Sequence, residues 1–322
     1  MPPRKTSRTN GDFATAFGRI QSTIEQVIQG KAEQIRLALV CMLAEGHLLI
    51  EDVPGVGKTL LAKSIARVIG CTWGRIQFTP DLLPMDITGV NVFDQERREF
   101  EFRPGAVFAN IVLGDEVNRA PPKTQSALLE AMEERQVTVD AVTHKLPDPF
   151  IVIATQNPVE HEGTYPLPVA QLDRFMMRLS IGYPNPQAEM EMIHRHGQHS
   201  ALDAIEAVAN ARTILSMIEA ARSVHVAETL NAYIVELISS TRESPELTLG
   251  ASPRASLALL RAARGYAASE ARDYVIPDDV KALAPAVLSH RVVIAPEAEM
   301  SGRSPNDVID DLLSSVAVPI RG

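Results

Sequence analysis

Lys58 and Thr59 stand near the end of the run Glu51–Leu60 (EDVPGVGKTL), and their types and spacing suit the binding of a polyphosphate. Pro54, Gly55, Val56 and Gly57 let the backbone turn tightly enough to aim several N–H groups at one anion. The run His47–Ile50 before the loop reads as a short buried strand, and apolar residues at helical spacing follow from Thr59 to Ile69. The loop therefore opens onto a helix N-terminus, whose partial positive charge favours the same anion. Lys58 then reaches β- and γ-phosphates, and the Thr59 hydroxyl joins a magnesium shell. Leu60 completes the first helical turn, so the candidate phosphate-binding set runs from Pro54 to Leu60. One position departs from the usual glycine-rich pattern: Asp52 stands where that pattern opens with glycine.

A second set of oxygens lies where such a site needs one. Ala109–Val117 (ANIVLGDEV) reads as an apolar strand ending in Asp115 and Glu116. A carboxylate such as Asp115 at a strand end can hold Mg2+, usually through water, because that small cation prefers hard oxygens and keeps much of its hydration. The adjacent Glu116 can polarise a water for in-line attack at a γ-phosphorus. Alone, an Asp-Glu pair reads as a solvated strand end. Downstream of a phosphate loop it reads as the other half of a nucleotide site.

The elements that must position these groups follow from periodicity and turn residues. Phe13–Gln29 reads as an amphipathic helix closed by Gly30, and Lys31–Ala44 as a second helix leading into the first strand. Trp73–Phe78 reads as another strand. Between Gly89 and Arg103, Val92 and Phe93 precede a charged turn (Asp94–Arg98), after which Phe100 and Phe102 alternate with Glu99 and Glu101. That is a β-hairpin signal, with the two phenylalanines after the turn expected to pack its base. Pro122–Glu134 reads as a helix, Val137–Val142 and Lys145–Pro149 as a second hairpin, and Phe150–Ala154 and Met177–Ile181 as buried strands. Tyr183-Pro184-Asn185-Pro186 makes a stiff linker. Beyond it, helices are expected at Gln187–Arg195, Ala211–Ala221, Ala227–Thr241, Pro253–Ser269 and Pro277–Leu288, with no strand run.

Composition sets outer limits. The chain has 322 residues, enough for a sizeable core and two domains, with 45% hydrophobic and 22% charged residues. A formal charge of −9 argues against a broad nucleic-acid surface. Cys41 and Cys71 lie in apolar surroundings and read as buried, reduced thiols. His194, His196 and His199 near Glu189 and Glu191 match no known ligand frame and read as a solvated helix end. The opening residues lack an apolar segment of the secretory kind, and the longest apolar stretch is too short to span a bilayer. A cytoplasmic protein is expected.

Several segments, in one order, carry a family resemblance. VFANIVLGDEVNRAPPKTQSALLEAMEERQ at 107–136, TPDLLPMDITGV at 79–90, FRPGAVFAN at 102–110, IATQNPVE at 153–160 and LPVAQLDRFMMRL at 167–179 resemble the MoxR family of AAA+ ATPases. The resemblance runs from about Val27 to Arg291, with two departures: Gly114 where the pattern has Ala, and Val169 where it has Glu. It implies an α/β fold, a P-loop nucleotide-binding domain with a parallel sheet and helices on both faces, followed by an all-α lid. Set on this chain, residues 1–12 are a disordered basic tail, 13–184 the nucleotide domain with a hairpin insert near 89–103, and 185–322 the lid.

The resemblance also implies function. It points to an ATPase that binds ATP and Mg2+, assembles as a homo-oligomeric ring, expected to be a hexamer, and remodels or matures a protein client. Such clients include proteins with a von Willebrand factor A domain, and the work includes metal-cofactor insertion. Residue by residue, Asn157 matches the polar sensor near the γ-phosphate, and Arg174 the arginine finger supplied to a neighbouring subunit. Arg254 matches the second sensor, which couples the lid to nucleotide state, and Arg119 is a further inter-subunit candidate. Val27, Ile28 and Gly30 match the segment that packs on adenine. The catalytic set is thus Lys58, Glu116, Asn157 and Arg174, with Thr59 and Asp115 for the metal. Two other classes stay open. A nucleic-acid motor of the related helicase branch would need basic hairpins, but Arg97, Arg98 and Lys145 are few and sit among acids. A non-hydrolysing nucleotide switch would lack Glu116 or Arg174.

Overall fold

Strand segments that are apolar on both faces need cover on both sides, and the chain supplies it with helices. The computed structural model describes residues 6–157, 163–184, 186–187, 189–190 and 201–319. Helices α1 (Thr6–Glu25) and α2 (Ala32–Leu43) lead to β1 (Leu48–Glu51) and α3 (Lys58–Val68). β2 (Trp73–Gln77) and α4 (Pro84–Thr88) precede a hairpin of β3 (Gly89–Asp94) and β4 (Glu99–Pro104). Next come β5 (Ile111–Asp115), α5 (Pro122–Glu134) and a second hairpin, β6 (Gln136–Val139) and β7 (Val142–Lys145). β8 (Ile151–Gln156), α6 (Val169–Leu172) and β9 (Met177–Leu179) complete this part. The lid carries α7 (Ala211–Arg222), α8 (Glu228–Glu243), β10 (Leu247–Leu249), α9 (Pro253–Ser269) and α10 (Pro277–Leu288). It ends with β11 (Val293–Ile294), α11 (Pro296–Met300) and α12 (Pro305–Ser315).

The central sheet has the order β2-β5-β8-β1-β9, and every neighbouring pair runs parallel. The C-terminal ends of β1, β5 and β8 therefore lie side by side, which is where ligands bind in open sheets of this kind. One face packs on α1–α3 and the lid helices in a single apolar cluster. The other packs on Phe78, Leu128, Met132, Phe150 and Phe175. Helix α9 sits at the centre of the lid because small residues (Ala255, Ala258, Ala262, Ala263, Ala267) line its buried side and allow close approach. Its start is fixed by Pro253 at the first turn and by the Ser252 side chain, which accepts from the Arg254 N–H.

Several expectations shift. Helix α1 starts at Thr6, so residues 6–12 are helical rather than a disordered tail, and it ends at Glu25, short of Gln29. In the second hairpin the turn falls at Asp140-Ala141, both left-handed at φ 48° and 65°. Val142 therefore opens the second strand, and Lys145 closes it. No glycine marks that turn, which is why alternation alone misplaced it. The lid contains one small ladder, β10 with β11, too short to show as a run. Cys41 is fully buried, with burial pushing its thiol up to about 12, whereas Cys71 is only half-buried. Of the hairpin phenylalanines, Phe102 does pack inward, stacking on His144 at 3.8 Å between ring centroids. Phe100 instead pairs edge-to-face with Phe93 near the tip and is 71% exposed. His194, His196 and His199, expected as a solvated helix end, lie outside the described residues, as does most of the helix expected at Gln187–Arg195.

Candidate nucleotide site

The phosphate loop leaves β1, which lies between β8 and the edge strand β9, and enters α3 at Lys58. Gly55 and Gly57 adopt φ of 85° and 94°, a region that L side chains rarely enter. A Cβ on either glycine would meet nothing within 4 Å, so the loop's inner side is an open cradle of backbone. The Lys58 ammonium donates to the Asp52 carbonyl at 2.6 Å. Thr59 and Leu60 follow in the first turn of α3, and Pro54 and Val56 complete the loop.

Two strands across the sheet from the loop, with β8 between, β5 ends in the two carboxylates. Asp115 is 9% exposed, and Glu116 has φ 58° and ψ 50°. A non-glycine residue in that conformation is strained, and such strain collects at functional positions. Thr155, fully buried on β8, holds both residues. Its hydroxyl donates to Asp115 Oδ1 at 2.7 Å and accepts the Glu116 N–H at 2.9 Å. From the other neighbouring strand, Arg75 donates to Asp115 Oδ2 at 2.6 Å and to Gln77 Oε1 at 2.7 Å. Gln77 Nε2 in turn donates to Glu116 Oε2 at 2.8 Å, and Arg119 donates to the same oxygen at 3.1 Å. Arg119 is thus a partner of Glu116 within the chain. Thr155, Arg75 and Gln77 are the residues around the two carboxylates that motif reading missed. The available signal was strand geometry, since residues two apart on β2 share a face beside β5.

Asn157 follows β8, is 6% exposed, and sits where β8 lies between β1 and β5. Asp52, the departure from the glycine pattern, is buried at 8% exposure. Burial would raise its carboxyl, but hydrogen bonds from the Gly182 and Val53 N–H groups and the Ser180 hydroxyl outweigh that and hold it below the usual carboxylate value. Ile28 is buried just before Gly30, which has φ 70°, and Val27 is half-buried beside it.

The arginine-finger candidate and the second-sensor candidate form a separate group. Arg174 pairs with Glu133 at 3.2 Å, and Arg254 donates to the same carboxylate. Asp173, next to Arg174, is instead taken by the buried Arg291 at 2.7 Å and by the Ser252 hydroxyl at 2.8 Å. One carboxylate on α5 therefore gathers the finger candidate and the lid arginine side by side. Glu133, Gln171 and Arg174 also line a shallow cavity of about 200 Å³ with Ser126, Leu129, Glu130 and Glu134.

The donor set fits magnesium: Thr59 and Asp115 offer hard oxygens beside an open backbone cradle. Thr59 and Asp115 would hold that ion, and when bound it would neutralise part of the phosphate charge.

A doubly covered parallel sheet, a phosphate loop after β1 and paired acids at the end of β5, two strands across with β8 between, define a P-loop ATPase of the AAA class. Residues 47–177 match the ATPase family associated with various cellular activities (AAA), and residues 239–312 match the AAA lid domain. The chain is 47% identical over 310 residues to the Bacillus subtilis protein YeaC, covering 96% of this chain and 97% of that one. It is 45% identical over 305 residues to Chaperone MoxR1 of Mycobacterium tuberculosis, covering 92% and 80%. With Protein MoxR of Methylorubrum extorquens it shares 31% identity over 331 residues, covering 95% and 94%. A solved structure from Cytophaga hutchinsonii, described provisionally as an ATPase, superposes with TM-score 0.91 at 38% identity, covering 97% and 98%. The chain belongs to the MoxR family of AAA+ ATPases.

Proposed function

We propose that this chain hydrolyses ATP to ADP and phosphate with Mg2+ at the interfaces of a homo-oligomeric ring, a hexamer, and uses the cycle to remodel or mature a client protein. The observation that carries the reading is Glu116, held in a strained backbone conformation beside Asp115 by the buried Thr155 hydroxyl. Lys58 and the loop amides bind the β- and γ-phosphates, with Thr59 and Asp115 toward the metal. Glu116 takes the proton of the attacking water, and Asn157 orients that water. Packing of Ile28 and Gly30 against adenine is part of the same reading.

The ring is supported by the placement of Arg174 and Arg254 on a half-exposed carboxylate, away from the Asp115–Glu116 pair in the hydrogen-bond network. In a ring Arg174 would face a neighbour's nucleotide, where a cation stabilises charge on the transferring phosphoryl group, while Arg254 would couple the lid to nucleotide state. The domain reading places the nucleotide domain at 13–184 and the lid at 185–322. No helix among the described residues is long and apolar enough to cross a membrane, in keeping with a cytoplasmic assignment. A folded client, including a von Willebrand factor A domain protein or one awaiting a metal cofactor, would meet the hairpin tip. There Asp94, Glu96, Glu99 and Glu101 outnumber Arg97 and Arg98.

Phosphate release by the purified chain with Mg2+ and ATP, repeated with DNA across a salt series, tests this reading. The expected result is Mg2+-dependent turnover that is indifferent to DNA and rises with a protein client. Strong DNA stimulation that collapses with salt would replace it with the helicase-like motor, because phosphate contacts release counterions. No turnover under any condition would replace it with a nucleotide switch.

A further inference from the structure

Asp52 occupies the phosphate-loop position where glycine is usual, and a glycine there could supply its carbonyl but no carboxylate. Both groups of Asp52 are engaged, and they face different parts of the molecule. The carbonyl accepts from Lys58 Nζ at 2.6 Å. The carboxylate reaches the segment that leaves β9 toward the lid: Oδ2 accepts from the Ser180 hydroxyl at 3.0 Å and from the Gly182 N–H at 2.6 Å. Its other oxygen accepts the Val53 N–H at 2.9 Å, which fixes the side chain against its own loop.

The neighbouring acid makes a parallel connection. Glu51, last residue of β1, accepts from Arg178 on β9 at 2.7 Å and from Gln156, which precedes Asn157, at 2.9 Å. Arg178 also donates to Ser289 at the end of lid helix α10, at 3.2 Å. A cleft of about 320 Å³ runs along Glu51, Arg178, Ser180 and Ser289, with Leu179, Pro285 and Ala286 also lining it, so polar links add to the apolar packing that joins the lid to β9. On the far side of the same exit segment, Lys31 donates to the Tyr183 carbonyl at 2.8 Å, one residue after Gly30. Residues 180–183 are thereby tied to the phosphate loop at one end and to the candidate adenine segment at the other.

We infer that Asp52 is a positioning residue that couples the phosphate-binding lysine to the strand-to-lid connection, through its carbonyl to Lys58 and its carboxylate to Ser180 and Gly182. Nucleotide held by Lys58 then sets the geometry of the exit segment, and lid position in turn sets where Lys58 points. The acid replaces a conformational glycine with a strut between chemistry and lid. The inference rests on the ATPase reading for its consequence in turnover, but its structural part does not need hydrolysis.

The test uses Asp52→Gly, which keeps the carbonyl and restores the usual loop residue, with Asp52→Asn and Ser180→Ala as milder variants. Binding of Mg·ADP is measured at equilibrium, amide hydrogen exchange of residues 180–184 with and without Mg·ADP, and kcat and KM for ATP. In the parent chain Mg·ADP is expected to slow exchange across 180–184. Asp52→Gly is expected to keep Mg·ADP affinity within about threefold while losing that nucleotide response, with kcat falling about 10- to 100-fold from a misplaced lysine. Asp52→Asn, which retains one acceptor oxygen, and Ser180→Ala should fall between. An unchanged nucleotide response at 180–184 and unchanged kcat in Asp52→Gly would overturn the inference. So would loss of Mg·ADP binding with Ser180→Ala at parent values, because Asp52 would then shape the loop alone. Failure of the ATPase reading is distinguishable: it removes turnover from the parent chain while leaving the exchange response to Mg·ADP intact.

Discussion

The two groups of charged residues in this molecule are built differently. At the C-terminal ends of β5 and β8, Asp115 and Glu116 are half-buried or buried and locked from three sides, by Thr155, Gln77 and Arg75. On the outward side of α5, Arg174 and Arg254 share the single carboxylate of Glu133, and Arg254 is exposed. The first group is preorganised within one chain, as electrostatic stabilisation of a reaction requires. The second holds two cations against one acid in partial contact with solvent, where an ion pair is worth little. Such a contact is easily exchanged for a phosphate. In the proposed ring, the first group is what one chain builds alone and Arg174 is what a neighbour would supply.

The sharpest way to break that comparison is Arg174→Ala. It is expected to keep ATP binding and lower turnover by about 10³–10⁵-fold, the range for arginine fingers. Mixed with Lys58→Ala subunits, which fail at binding instead, it should regain partial turnover. Phosphate release from rings verified as mixed is the measurement, and absence of rescue would place the whole site within one chain. Next in size, Glu116→Gln should bind ATP with near-parent affinity yet turn over at least about 10²-fold more slowly, from the loss of a positioned base. Equal, near-normal rates in Glu116→Gln and Lys58→Ala would dissolve the first group as an active site.

Thr155→Val asks how much the buried hydroxyl matters. The change keeps the shape but leaves Asp115 Oδ1 and the Glu116 N–H without their shared partner. Hydrogen bonds to charged groups are worth about 1.5–3 kcal/mol, so kcat should fall about 10- to 100-fold with KM little altered. A rise in KM with kcat little altered would instead mean that the hydroxyl acts on substrate binding.

The smallest effect tests the scaffold beneath both groups. His47, at the foot of β1, accepts the Val152 N–H at Nδ1 and bonds the Met132 carbonyl through Nε2, so it must be neutral with its proton on Nε2. Burial, with help from the Arg135 charge, lowers its pKa from 6.5 to about 3. Between those values the unfolded chain binds a proton that the folded chain refuses, so stability falls as pH drops below 6.5 toward 3. His47→Leu should cost about 1–3 kcal/mol at pH 8 from two orphaned backbone groups, and should flatten part of that acid slope. Urea unfolding at pH 8 and pH 5 measures both. Some slope must persist, because burial also pushes His290 well down.

Sequence alone did not show the short helices α4, α6 and α11 or the final helix α12, but it determined the phosphate loop, the Asp115–Glu116 pair, the five strands of the central sheet and the starts of α9 and α10. These depend on residues within one or two turns of each other, on glycine's access to positive φ and on proline's fixed φ. The same logic misplaced the turn at Asp140-Ala141, where no glycine or proline stands, and it missed the helical start at Thr6. Only the tertiary structure decided the partners. Gln77 and Glu116 are 39 residues apart, Asp52 and Gly182 130, and Arg254 and Glu133 121. Each pair meets because the sheet takes the order β2-β5-β8-β1-β9 and the lid folds back onto it. That order follows from burying apolar faces across the whole chain, a global condition that no local spacing encodes. A carboxylate at position 52 is plain in the sequence, but which segment it holds is settled only when β9 lies down beside β1.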